Sequence, residues 1–135
     1  MGFSSENFLA KFYEAIDSRE ASRFSEFFAE DGEFIFGNFP PSKGHAAIEK
    51  SAQGVFDAID GISHRLKSHS IDSSGRLLME GIVRYVKKNG AIVELPYACG
   101  MTLDSVFKQG MVQNSQPKVK SYQAYVDIAP LWKDS

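Results

Sequence analysis

The chain has 135 residues, 43% hydrophobic and 24% charged, which suits one globular domain over residues 1–135 with a substantial core and requires no second. Its 15 Lys and Arg against 17 Asp and Glu give a net charge of -2 with no basic block to track phosphates, so no nucleic-acid partner is expected. The lone cysteine, Cys99, excludes an internal disulfide, and no apolar run is long enough to span a membrane, so a cytoplasmic protein that avoids membranes is expected.

In chain order, Phe8, Leu9, Phe12, Tyr13 and Ile16 recur at three- and four-residue spacing and predict a helix from Ser5 to about Ser18, capped by Ser4 or Ser5. Phe24, Phe27 and Phe28 predict a shorter second helix ending near the AEDG of residues 29–32. The residues EFIF, 33–36, then form a short strand, and FGNFPPSKG a turn-rich corner. A third helix runs from about His45 to Ile59, with Ile48, Ala52, Val55 and Phe56 on one face.

From Gly61 the period changes to two, and turn signals at Ser73–Gly75, Lys88–Gly90 and Gln109–Pro117 divide the rest into strands near 62–71, 76–87, 91–107 and 118–128. Asn89-Gly90 predicts a two-residue hairpin turn. Gly81, Pro96 and Gly100 inside strands are expected to mark bulges that bend the sheet. The whole reads as α+β: three N-terminal helices packed on a strongly curved, mainly antiparallel sheet, forming a cone with an apolar cavity.

Alternation selects the residues that face the cavity. Met79, Gly81, Val83 and Tyr85 point inward from one strand; Leu95, Tyr97, Cys99, Met101 and Leu103 from the next; Tyr122, Ala124, Val126 and Ile128 from the last. Ile62, His64 and Leu66 share the inward parity of the remaining strand, which makes His64 the ionisable group sent into the cone. Phe34 and Phe36 complete the wall, and Phe12, Tyr13, Phe27 or Phe28, and Phe56 form lid and floor. Such an aromatic pocket with sparse polar groups suits a small hydrophobic ligand.

The phrases FYEAID, FFAEDGEFIFGN, GHAAI, ISHRL, ELPYACGMTL and KSYQAYVDIAPL, in this order, resemble the SnoaL-like branch of the nuclear transport factor 2-like superfamily. That resemblance implies the cone fold and a range of activities from isomerases, cyclases and dehydratases to epoxide hydrolases and noncatalytic binders. The ketosteroid isomerases of this superfamily carry a tyrosine and two carboxyl groups at positions that look like Phe12, Phe36 and Cys99 here. The last-strand aspartate of limonene epoxide hydrolases resembles Ala124. Both sets are absent.

The burden of proton transfer therefore shifts to His64, whose imidazole titrates near neutrality; the competing reading is a core-edge histidine bonded to a tyrosine or a carbonyl. Tyr13, Tyr97 and Tyr122 are candidate donors to a substrate carbonyl, with Tyr13 the catalytic choice beside His64. Cys99 reads as a buried, inert thiol. His45 is expected to cap a helix or face solvent, and His69 to lie on the outward parity. Asp31, in a helix-to-strand turn, and Asp127, on the outward parity, read as structural, whereas Asn38 at the rim can hold a ligand polar group. The expected function is an enzyme that cyclises, isomerises or dehydrates a small polyketide- or terpenoid-like molecule without metal or organic cofactor. A ligand-binding protein and a protein-interaction adaptor are the alternatives, and the outer sheet face, with Ile82, Val86, Gln123 and Tyr125, is expected to pair two copies in a homodimer.

Overall fold

The first aromatic stripe forms helix α1, Ser5–Asp17, in a computed structural model that describes residues 3–104, 107–108, 111–112 and 117–133. Ser4 is the N-cap, its Oγ accepting from the Asn7 N–H at 3.3 Å. Beyond the helix, Arg19 takes a left-handed conformation, φ 58°, at a place usually given to glycine. Its guanidinium donates to the Ile59 carbonyl at 3.0 Å, tying the end of α1 to the start of a distant strand.

Helix α2, Ala21–Glu26, stops earlier than its phenylalanine spacing predicts. Phe28 already belongs to strand β1, Phe28–Phe36, which absorbs the AEDG sequence and places Asp31 inside a strand instead of a turn. Gly32 allows this, since a Cβ there would sit 2.9 Å from the Val119 carbonyl oxygen on the neighbouring strand. After a two-residue strand β2, Ser42–Lys43, helix α3 spans His45–Asp57 and buries Ile48, Ala52 and Phe56.

Three long strands follow: β3, Ile59–Ile71; β4, Arg76–Lys87; and β5, Ile92–Leu103. The predicted strand 91–107 breaks at Leu103, and Phe107–Lys108 (β6) pairs instead with Met111–Val112 (β7). Of the predicted turn at 109–117, residues 109–110 and 113–116 lie outside the described residues. Strand β8, Val119–Tyr125, is shorter than expected and gives way to a one-turn helix α4, Ala129–Trp132. The Asn89-Gly90 hairpin is a three-residue loop closed by Lys87 and Ala91, in which Gly90 alone takes positive φ, 88°.

The six-stranded sheet has the order β2-β1-β8-β5-β4-β3 and is antiparallel except for the β1–β8 pair. The helices at the N-terminus cover its concave face, as the α+β reading requires. Its irregularities, however, do not fall in the β4–β5 ladder, where Gly81, Pro96 and Gly100 were expected to place them. The β4–β5 ladder runs unbroken from Arg76 opposite Thr102 to Val86 opposite Ile92, through Gly81, Pro96 and Gly100. The bulges lie in β3, between Ile59 and Gly61 and between Leu66 and Ser68, and in the pairings of β8. The second bulge reverses the parity of β3 beyond it, so His69 stands opposite inward-facing Met79 and its ring contacts Ser5 Oγ of α1 at 3.3 Å, contrary to the outward position expected.

Among the described residues no helix is long and apolar enough to cross a membrane. The core is dominated by aromatic rings centred on Phe12, which is fully buried and meets Phe8, Tyr13, Phe24, Phe27 and Tyr122 at centroid distances of 5.0–6.2 Å. Phe12→Ala is expected to destabilise the fold by about 3–5 kcal/mol, the range for a buried phenylalanine whose cavity does not collapse, measured by urea unfolding.

Candidate active site

Between the helices and the concave face lies a narrow cavity of about 50 Å³. Its walls are Phe34 and Phe36 of β1, Val83 and Tyr85 of β4, Tyr97 and Cys99 of β5, Tyr122 and Ala124 of β8, and Val126 beyond it. Ile62 and His64 enter from β3, Ala52, Val55 and Phe56 from α3, and Ile16 and Phe24 from α1 and α2. Five residues expected at the ligand stand elsewhere. Phe12, Tyr13, Met79 and Met101 are buried in the core and do not line the cavity, while Asn38 lines an outer hollow with Tyr125 and Trp132.

His64 brings an imidazole to the cavity wall, and its side chain is 8% exposed. Its Nδ1 lies 2.7 Å from Asp17 Oδ1, and its backbone N–H donates to Asp17 Oδ2 at 3.2 Å. A carboxylate only accepts, so Nδ1 is the donor in this pair, and in the neutral imidazole the lone pair is then on Nε2. No described protein group is hydrogen-bonded to Nε2, which leaves it for the cavity.

Asp17 was given no role from the sequence, yet the signal was there. It sits four residues after Tyr13, hence on the same face of α1, and the Tyr13 ring stacks on the His64 imidazole at 4.7 Å. It is also an acid in the last turn of a helix, where the macrodipole opposes negative charge. A residue that breaks a local rule marks a place where something distant compensates, here two hydrogen bonds from β3.

The tyrosines complete the arrangement. Tyr97 lies directly opposite Gly81, where an added Cβ would fall 3.0 Å from the Tyr97 hydroxyl and 2.2 Å from the Arg65 carbonyl. Gly81 thus lets Tyr97 lie over β4, with its edge toward His64 at 5.3 Å and its hydroxyl donating to the Tyr13 hydroxyl at 2.9 Å. Burial pushes the Tyr97 phenol up to about 12, opposed by its hydrogen bond to Tyr13, and raises Tyr13, Tyr85 and Tyr122 as well. All four are neutral donors at ordinary pH. Cys99 contacts the Tyr122 hydroxyl at 3.2 Å, and burial pushes its thiol up to about 12, so the thiolate a nucleophile needs is suppressed.

Other candidates have structural engagements. His45 Nε2 lies 2.6 Å from the Phe28 carbonyl oxygen, tying α3 to β1, and Asp127 Oδ1 accepts from the Ala129 N–H at 3.1 Å at the start of α4. Among the described residues, no three His, Cys, Asp or Glu side chains are grouped as a metal site.

Helices cupped in a curved sheet around a side-chain-lined cavity define a cone fold of the nuclear transport factor 2 kind. The family match is direct: the sequence profile of the SnoaL-like domain matches residues 9–105, and the chain belongs to that family. Solved structures share the fold at low identity. One is a protein of ketosteroid isomerase-like fold from Catenulispora acidiphila, in complex with trimethylamine, at 12% identity and TM-score 0.76, covering 95% of this chain and 91% of that one. ActVI-ORFA from Streptomyces coelicolor matches at 17% identity and TM-score 0.71, covering 90% and 94%. An NTF2-like protein with a cystatin-like fold from Novosphingobium aromaticivorans matches at 20% identity and TM-score 0.70, covering 95% and 86%.

A buried group that ionises less readily in the folded chain than in the unfolded one makes stability fall as pH rises past its ordinary value. For Cys99 and Tyr97 the fall starts near 9 and 10 and runs to about 12. Urea midpoints are expected to decline steadily from about pH 8.5 to about pH 11, and Cys99 to resist a thiol reagent until the chain unfolds.

Proposed function

We propose that this SnoaL-like protein is an enzyme that moves a proton on a small hydrophobic carbonyl compound, leading to isomerisation, dehydration or cyclisation. The observation that carries the proposal is the Asp17–His64 pair on the wall of an otherwise apolar cavity. His64 Nε2 takes a proton from the carbon next to the carbonyl, and Asp17 holds the ring orientation and stabilises the imidazolium that results. The Tyr97 hydroxyl, turned from Tyr13 to the ligand, donates to the carbonyl oxygen as negative charge gathers there. His64 then returns the proton to a second carbon, giving an isomer, or to a departing hydroxyl, giving water and a new double bond. The apolar walls exclude water and hold the reacting conformer, which supports the cyclase variant of the same chemistry.

A substrate-independent probe is hydrogen exchange into 1-phenylpropan-2-one in D2O, followed by NMR, because its benzylic protons lie between a ring and a carbonyl. The protein is expected to accelerate exchange. His64→Gln should lower the rate by roughly 10²-fold or more with binding retained, and Asp17→Asn by at least about tenfold. His69→Gln, outside the cavity, should leave it unchanged. Undiminished exchange in the His64 variant would sink the assignment, and binding without exchange in the unaltered protein would identify a carrier.

The proposal includes a cytoplasmic setting, supported by the single buried thiol, and a homodimer through the outer sheet face. Leu78, Ile92 and Tyr125, each more than half exposed on β4, β5 and β8, support that second part. Leu78→Lys together with Tyr125→Glu is expected to shift sedimentation from dimer to monomer; a monomer before substitution would remove the dimer from the proposal.

A further inference from the structure

The inner cavity, at about 50 Å³, is far below the roughly 300 Å³ at which pockets for drug-sized ligands begin. It holds a reacting group and little else. Directly outside it lies a trough of about 470 Å³ that shares Phe34, Phe36 and Val55 with the cavity wall. The trough continues past Phe39, Pro40 and Pro41 to Trp132, with Ser42 and Ser51 also on its wall, so the two hollows adjoin across three shared side chains.

The far end of the trough exposes two large aromatic side chains. Phe39 is 44% exposed and Trp132 51% exposed. Phe39 is held against Phe36, ring centroids 6.0 Å apart, and the Lys87 ammonium donates to the Pro130 carbonyl at 3.3 Å, fixing α4 beneath Trp132. The floor carries a second sign. Gly54 stands inside α3, where glycine destabilises a helix by about 1 kcal/mol relative to alanine. Neither packing nor backbone calls for it: a Cβ there would meet nothing within 4 Å, and its φ is not positive. What a side chain at residue 54 would change is the depth of the trough.

We propose that the substrate is a two-part molecule, with a compact carbonyl head at His64 and an apolar tail lying in the trough from Phe36 to Trp132, and that Gly54 sets the tail length admitted. The inference rests on the reading of the inner cavity as a ligand site and adds to it a substrate class, carbonyl compounds with an extended hydrocarbon or isoprenoid-like tail. The walls shared between cavity and trough assign the trough to the same ligand, not to a separate partner.

The chain's single tryptophan lines the end of the trough and also the outer hollow beside Asn38 and Tyr125, so its emission reports occupancy at that end of the molecule, and the residue 54 variants assign the signal to the trough. The experiment titrates 1-phenylalkan-2-ones, from the propanone to the decanone, into the full chain. Affinity is expected to rise about three- to fourfold per methylene until the tail passes Trp132, with emission shifting blue only for the longer members. Gly54→Phe should remove that gain, weakening the longest ketones by tenfold or more while the propanone binds as before; Gly54→Leu serves if the phenylalanine variant does not fold. Affinity that ignores chain length, with the propanone still bound and exchanged through His64, would overturn the two-part substrate and leave the proposed chemistry standing. Failure of every ketone to bind or exchange overturns both. Trp132 emission that responds to protein dilution and not to ligand would show the trough covered by a second copy, which also overturns the inference.

Discussion

The register between β4 and β5 is the constraint on which the site depends. Because side chains alternate, a one-residue slip would exchange Tyr97, Cys99 and Met101 for Pro96, Ala98 and Gly100 on the cavity side, and the aromatic lining would face outward. The ladder is unbroken over the whole pairing, and its sharpest steric demand against backbone falls at Gly81. There the missing side chain gives Tyr97 a bed to cross β4 and reach two residues that arrive from other elements, Tyr13 and His64. Gly81 leaves the β4–β5 ladder regular and lets a neighbour lean over it, while the β3–β4 register shifts beside it.

How much of this was legible follows from the range of each signal. Period-two alternation is local and strong, so the inward sets of β4, β5 and β8 coincide with buried residues almost throughout. Parity survives only while the ladder is regular, however, and the bulge after Leu66 has no glycine or proline on β3 itself, only Gly81 across from it on β4; His69 is misplaced for that reason. The boundary of α2 was missed because Phe27 and Phe28 fit a helical stripe as well as a strand, and only β1's pairing with β8 decides between them. Asp17 was invisible to alternation because its partner lies 47 residues away. Family resemblance directed attention to the absent carboxylates at Phe36 and Cys99, and in doing so drew it away from one standing at the end of α1.

The site itself concentrates local disfavour: an acid at the wrong end of a helix, an arginine in a left-handed conformation two residues later, and a glycine inside a strand. Each is tolerated because tertiary contacts repay it, through His64, the Ile59 carbonyl and Tyr97 respectively. These three contacts converge on one corner of the molecule, between the end of α1 and the first half of β3. Elsewhere local preference and global fold agree, as a single cooperative native state requires.

The bond between Asp17 and His64 also makes the chemistry a witness to topology. Alone, a helix of α1's length is marginal in water, and it holds its shape by docking. If α1 lifts from β3, the cavity loses Ile16 from its wall at the same moment that the imidazole loses its carboxylate. On the proposed chemistry, a molecule opened along that side is silent until α1 docks again. An imidazole open to bulk water and an imidazole held by its carboxylate are therefore alternative states of the same docking contact.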